Sequence, residues 1–110
     1  MSTKQFFNMA NTPPKRYQEV KDQFPEIIEA YEKLGKATHE GPIPPKYVHL
    51  IKLSAAATMR SEGAVHSHAR RAMEHGASKE EVRHAVILLT NTIGFPNMMA
   101  ALSWVDDILD

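Results

Sequence analysis

Apolar residues recur at helical rather than strand spacing along most of the chain. Ile27, Ile28, Tyr31 and Leu34 form one such pattern, and Val82, Ala85, Val86, Leu88 and Leu89 form a clear stripe. Met98, Met99, Leu102, Val105, Ile108 and Leu109 repeat the pattern near the end. β-branched alternation is nowhere sustained, so no strand is predicted. Proline and glycine divide the chain into helical blocks. Thr12 before Pro13 and Pro14 reads as an N-cap and helix start, for a short helix to about Asp22. Pro25 restarts the pattern, with Gly35 near its expected stop. Glu40 to Pro45 is a connector. A helix from near Pro45 to about Ser61 is apolar around most of its circumference, which predicts burial on several sides. Gly63 marks a break or a tight contact before a helix from about Ala64 to His75, and Gly76 stands where a C-terminal cap belongs. Ser78 and Glu81 match a capping box for the next helix, which Gly94 and Pro96 end. The last helix starts at about Asn97. The expectation is a single all-α domain over residues 1–110, of about five or six helices with antiparallel neighbours. Met1 to Asn11 reads as a loose arm whose Phe6, Phe7 and Met9 dock on something.

Composition narrows the function classes. The 110 residues include 13 Lys+Arg and 13 Asp+Glu, so there is no basic excess to neutralise phosphates, and no nucleic-acid partner is expected. The absence of cysteine excludes disulfide staples, thiolate zinc sites and cysteine nucleophiles. No apolar run is long enough to span a bilayer, and Met1 to Asn11 lacks a signal-peptide core, so a cytoplasmic protein without a membrane partner is expected. Zero formal charge gives weak self-repulsion, which eases self-association.

The candidate chemistry lies in the 6 histidines. His66 and His68 form an H-x-H pair, but two positions on a helix are about 200° apart, so their side chains diverge and no shared metal is expected. On a helix His68 shares a face with Ser61, Ala64 and His75, whereas His66 shares one with Glu62 and Arg70. The Glu62–His66 pair is either a weak surface contact or a means of holding an imidazolium by charge. His49, on the largely apolar helix, either hydrogen-bonds in the core or faces a pocket. His39 and His84 read as solvated, and His75 suits a helix C-terminus.

The run from Leu50 through Pro96 resembles the carboxymuconolactone decarboxylase family, which includes the alkylhydroperoxidase-D-like (AhpD-like) proteins. The resemblance rests on an ordered set of segments: Lys46-Tyr47-Val48-His49-Leu50-Ile51, then Ser61-Glu62-Gly63-Ala64-Val65-His66-Ser67-His68, then His75-Gly76-Ala77-Ser78-Lys79-Glu80-Glu81, then Ile93-Gly94-Phe95-Pro96. Phe24-Pro25-Glu26 to Gly35 and Pro44-Pro45-Lys46 resemble the family's lead-in. The resemblance implies an AhpD-like helical fold that assembles into trimers or hexamers with sites near subunit boundaries.

It also implies where chemistry would sit. In alkylhydroperoxidase-D-like members a C-x-x-C-x-x-x-H segment forms a redox disulfide, and a glutamate and the histidine relay the proton. Here the cysteine positions are Ser61 and Ala64, the glutamate position is His49, and only the histidine, His68, is kept. Thiol-dependent peroxidase chemistry is therefore not expected. The decarboxylase branch has an acid four residues before that histidine, a position held here by Ala64. The implied activity is that of a lyase, a decarboxylase acting on a small carboxylated substrate, with His68 as general acid/base and His49 as its partner or a holder of a substrate carboxylate. Arg70 or Arg71 would supply positive charge, and Ser61, Glu62 and His66 are further pocket candidates. No cofactor is implied. The alternatives are a non-catalytic oligomeric module that binds a small ligand, and a metal-assisted enzyme using His49, His68 and a third group.

Overall fold

The computed structural model describes residues 14–109, and among these there are seven helical segments and no strand. The arm expected at Met1 to Asn11 and the helix start at Thr12 and Pro13 lie outside the described residues. The chain divides after Pro42 into two compact units.

The first unit holds α1 (Lys15–Gln23) and α2 (Pro25–Thr38). Pro25 occupies the first turn of α2, where no amide donor is needed. Gly35, the expected stop, instead lies inside α2, which runs on to Thr38, whose hydroxyl donates to the Gly35 carbonyl at 2.7 Å. A helix-interior glycine costs only about 1 kcal/mol relative to alanine, so it does not by itself end a helix. The two helices are clasped by Glu32, which accepts from Tyr17 Oη at 2.5 Å and faces Lys21 Nζ at 3.5 Å. The Tyr17 hydrogen bond, helped by Lys21 and opposed by burial, holds the Glu32 carboxyl below its usual range. Of the apolar set on α2 only Ile28 is buried, whereas Ile27, Tyr31 and Leu34 stay mostly exposed.

The second unit holds α3 (Pro45–Thr58), α4 (Glu62–Glu74), α5 (Lys79–Ile87), the single turn α6 (Thr90–Ile93) and α7 (Phe95–Leu109). Its core is built from stripes on four helices. Leu53, Ala56 and Ala57 come from α3, Val65, Ala69 and Ala72 from α4, Val82 and Val86 from α5, and Met98, Ala101, Val105, Ile108 and Leu109 from α7. The alanines on α3 and α4 are small enough to allow close approach of helices, the separation of packed helices being set by the side chains at the contact. Burial of α3 is one-sided: Tyr47 and Ile51 remain about half exposed, whereas burial on several sides was expected from its composition.

Three boundaries in this unit depart from expectation. Helix α3 stops at Thr58 rather than about Ser61, because Arg60 adopts the left-handed conformation (φ 56°). The amides of Arg60 and Ser61 then bond back to the Ala57 and Ala56 carbonyls at 3.1 and 3.0 Å, the paired bonds of a Schellman cap. Gly63 lies near the start of α4 and breaks nothing. The helix expected to run to Gly94 is divided at Leu88 and Leu89, after which Gly94, at φ 92°, ends the short α6.

The caps expected at the far end of α4 and the start of α5 are present. His75 is the C-cap of α4, Gly76 follows at φ 97°, and the Gly76 and Ala77 amides bond to the Met73 and Ala72 carbonyls at 3.1 and 2.9 Å. At the start of α5, the Glu81 amide donates to Ser78 Oγ at 3.0 Å and the Ser78 amide donates to Glu81 Oε1 at 2.9 Å. Lys46 Nζ lies 3.2 Å from Glu81 Oε2, which ties the start of α3 to the start of α5. No helix of the described residues is long and apolar enough to cross a membrane.

Candidate active site

Helix α3 buries the stripe His49, Leu53, Ala56 and Ala57, which follows helical spacing. His49 is thus built into a core-facing row. It is only 3% exposed and is the one buried polar or charged residue among those described. A buried imidazole requires polar partners, since desolvating it without them is costly.

One such partner comes from α4. The buried row Val65, Ala69 and Ala72 seats α4 against the core, and His68 flanks that row. His49 Nδ1 and His68 Nδ1 lie 3.5 Å apart, with ring centroids at 5.7 Å and an interplanar angle of 27°. His75 joins them from the C-cap of α4: its ring stacks on His49 at 5.2 Å and 11°. The left-handed Gly76 turns the chain immediately after His75. The cluster grades from buried His49 through half-buried His68 to exposed His75.

Facing Nδ1 atoms have a defined chemistry. A proton between them is donated by one ring and accepted by the other, so the two rings take complementary tautomers. The arrangement suits general acid/base work.

The other candidates fall elsewhere. Glu62, His66 and Asp107 gather on another flank of α4, with one ligand atom from each within 4.8 Å of the others, and His66 Nε2 is 3.1 Å from Asp107 Oδ2. The H-x-H pair is therefore split: His68 meets α3 and His66 meets α7. Ser61 is the N-cap of α4, without a side-chain cap bond, two turns and about 10 Å along the helix from His68. Arg70 is on the His66 side of α4 by helical geometry, not beside His68; burial, assisted by Arg71 and opposed by Glu74, lowers its pKa. Exposed Arg71, three residues after His68, is the arginine on the His68 side.

Sequence reasoning placed His75 on the His68 face but not in contact with His49, and it did not single out Asp107. His75 had a signal, its i+7 relation to His68 and the glycine after it. Asp107 had none, being 41 residues from His66. A shallow groove between α3 and α5, lined chiefly by Tyr47, Leu50, Ile51, Leu88 and Leu89, lies on the flank of α3 away from His49.

Comparison with known proteins agrees with this fold. The family model for the carboxymuconolactone decarboxylase family matches residues 25–107. The chain is 28% identical over 97 residues to an uncharacterized protein of Methanocaldococcus jannaschii, covering 87% of this chain and 91% of that protein. Its fold is similar to the crystal structure of a candidate carboxymuconolactone decarboxylase from Burkholderia xenovorans LB400, with a TM-score of 0.71, 18% identity and coverage of 98% and 94% of the two chains. At that identity the likeness speaks for the fold alone. A model match over most of the chain, on an all-helical fold of the same kind, places this protein in the carboxymuconolactone decarboxylase family.

Proposed function

We propose that the protein is a carboxy-lyase acting on a small carboxylated substrate, with His68 as the general acid and His49 as its proton-sharing partner. The observation that supports this most directly is the 3.5 Å approach of the two Nδ1 atoms. As carbon dioxide leaves, the electron pair of the breaking carbon–carbon bond stays on the substrate carbon. The His68 imidazolium delivers its proton to that carbon, and solvent returns a proton to the imidazole. His49, buried and bonded to the same locus, holds the His68 ring in place and spreads the positive charge that draws a carboxylate. Exposed His75 marks the side on which the cluster meets solvent. Ser61 and Ala64 at the cysteine positions exclude a thiol route.

The reading is tested by release of carbon dioxide from carboxylated unsaturated lactones. His68→Gln is expected to lower kcat/KM by about 10²- to 10⁴-fold. Unchanged turnover in that variant would overturn the assignment of His68. Ligand binding without turnover in the unaltered protein would instead favour a non-catalytic binding module, a reading supported by the alanine at position 64 where the decarboxylase branch has an acid.

The same reading takes the working form to be a homo-oligomer, a trimer or hexamer in the cytoplasm. The exposed Tyr47, Ile51 and Leu88 favour it, because contiguous apolar surface is stabilised by burial. Sedimentation at micromolar concentration is expected to show a trimer or hexamer, and a monomer there would count against it.

A further inference from the structure

We propose that Glu62, His66 and Asp107 form a divalent-metal site, best matched to Zn(II), that fastens α4 to α7. Glu62 and His66 are one turn apart on α4, so their side chains project from the same face, and Asp107 is presented by the last turn of α7. Their ligand atoms already lie within 4.8 Å of one another. With metal–ligand bonds near 2.1 Å a tetrahedral set needs separations of about 3.4 Å. The remaining contraction falls on side chains free to make it, since the Asp107 and His66 side chains are 58% and 30% exposed. Beneath them Val65, Ala69, Val105 and Ile108 are buried in the common core, which keeps the two helix backbones in place.

The chemistry of the set points the same way. One imidazole nitrogen and two carboxylates suit a borderline ion, and the two carboxylates offset its double charge. His66 Nε2 already faces the Asp107 carboxylate, so the nitrogen that would ligate is oriented across the helix–helix seam. The adjacent Asp106 is engaged by Arg83, which leaves Asp107 as the carboxylate that α7 offers here. The histidine cluster on the other flank of α4 is less suited to an ion. His49 and His75 are stacked within 11° of parallel, so their in-plane lone pairs run side by side rather than converging. The exposed rim leaves the remaining coordination positions to water. An ion here would link α4, the helix carrying His68 and His75, to α7 and stabilise the folded state by mass action.

Zn(II) alone, titrated calorimetrically into the metal-stripped full chain, is expected to bind at one equivalent and to raise the melting temperature. His66→Gln and Asp107→Asn are each expected to weaken that binding tenfold or more, since losing even an outer partner of a metal ligand costs 10- to 100-fold. His68→Gln is expected to bind Zn(II) as the unaltered chain does. Absence of saturable binding overturns the proposal, as does binding that survives both His66→Gln and Asp107→Asn, or binding abolished by His68→Gln. Asp107→Asn, at an exposed position and nearly isosteric, decides the matter if His66→Gln does not fold. None of these outcomes depends on turnover, so the metal site and the proposed lyase activity fail separately.

Discussion

His66 and His68 are separated by one residue on α4, and the fold has sent them to different places. His68 turns toward α3, where it meets a buried imidazole and is continued by a stacked third ring. His66 turns toward α7, where it meets a carboxylate at an exposed seam. The same side chain is in one case part of a graded, partly dehydrated imidazole cluster and in the other part of a solvated charge pair. Residue identity does not distinguish them. The difference comes from the helical rotation between them and from what each facing helix offers: His49 on a core row of α3, Asp107 on the last turn of α7.

That comparison can be broken at several points. The largest effect is expected at the buried side, where His68→Gln should remove 10²- to 10⁴-fold of kcat/KM. His84→Gln, an exposed imidazole on α5, should leave the rate unchanged and so separate a specific role from a general loss of histidine. A smaller effect is expected at the turn that follows the third ring. Gly76→Ala puts a Cβ on a residue at φ 97° and should cost about 1–2 kcal/mol, read from the denaturation midpoint. Gly76→Asn should cost less, because asparagine tolerates that region better. If the stacking of His75 on His49 depends on this cap, NMR shifts of the His49 ring should change in Gly76→Ala.

The smallest effect is a pH dependence that both histidine environments should share, since it arises at the start of α5. The backbone hydrogen bond from Ser78, with the side-chain bond from Lys46, holds the Glu81 carboxyl below its usual range. A carboxyl with a depressed folded-state pKa contributes stability above its unfolded value, and that contribution is lost as pH falls through the folded value. Melting temperature should therefore fall on acidification from the ordinary carboxylate range downward. Glu81→Gln should flatten part of that slope while leaving the difference between the two histidine environments intact. An unaltered slope in Glu81→Gln would show that other carboxylates account for it.

Much of the fold was legible because it depends on short-range chemistry. Gly76 ends α4 and the Ser78–Glu81 box opens α5, as their residue types require. Glycine does not stop a helix everywhere in this chain. Gly35 and Gly63 sit inside helices, where the cost is modest and tertiary contacts outweigh it. The actual stop of α3 was hidden because an arginine, Arg60, takes the left-handed position that usually signals itself by glycine. The exposed rows on α2 and on the outer flank of α3 show a related limit. Helical spacing tells which residues share a face, not whether anything covers that face.

The site divides along the same line. His68 and His49 could be named from the resemblance to a family, and the divergence of His66 from His68 followed from helical rotation alone. Helical spacing put His75 on the His68 face, but not against His49, and gave no sign of Asp107. His75, the C-cap of α4, reaches the cluster by stacking on His49, a residue on another helix. Asp107 reaches His66 only through the packing of α4 on α7. By itself the sequence determined the helices, several of their caps, the absence of a thiol mechanism and the splitting of the H-x-H pair, all of which depend on residues within a turn or two of one another. Tertiary structure decided which imidazole is buried, which partner each one meets and which apolar rows stay open. Those outcomes depend on side chains tens of residues apart, brought together by burial of a common core that no local pattern specifies.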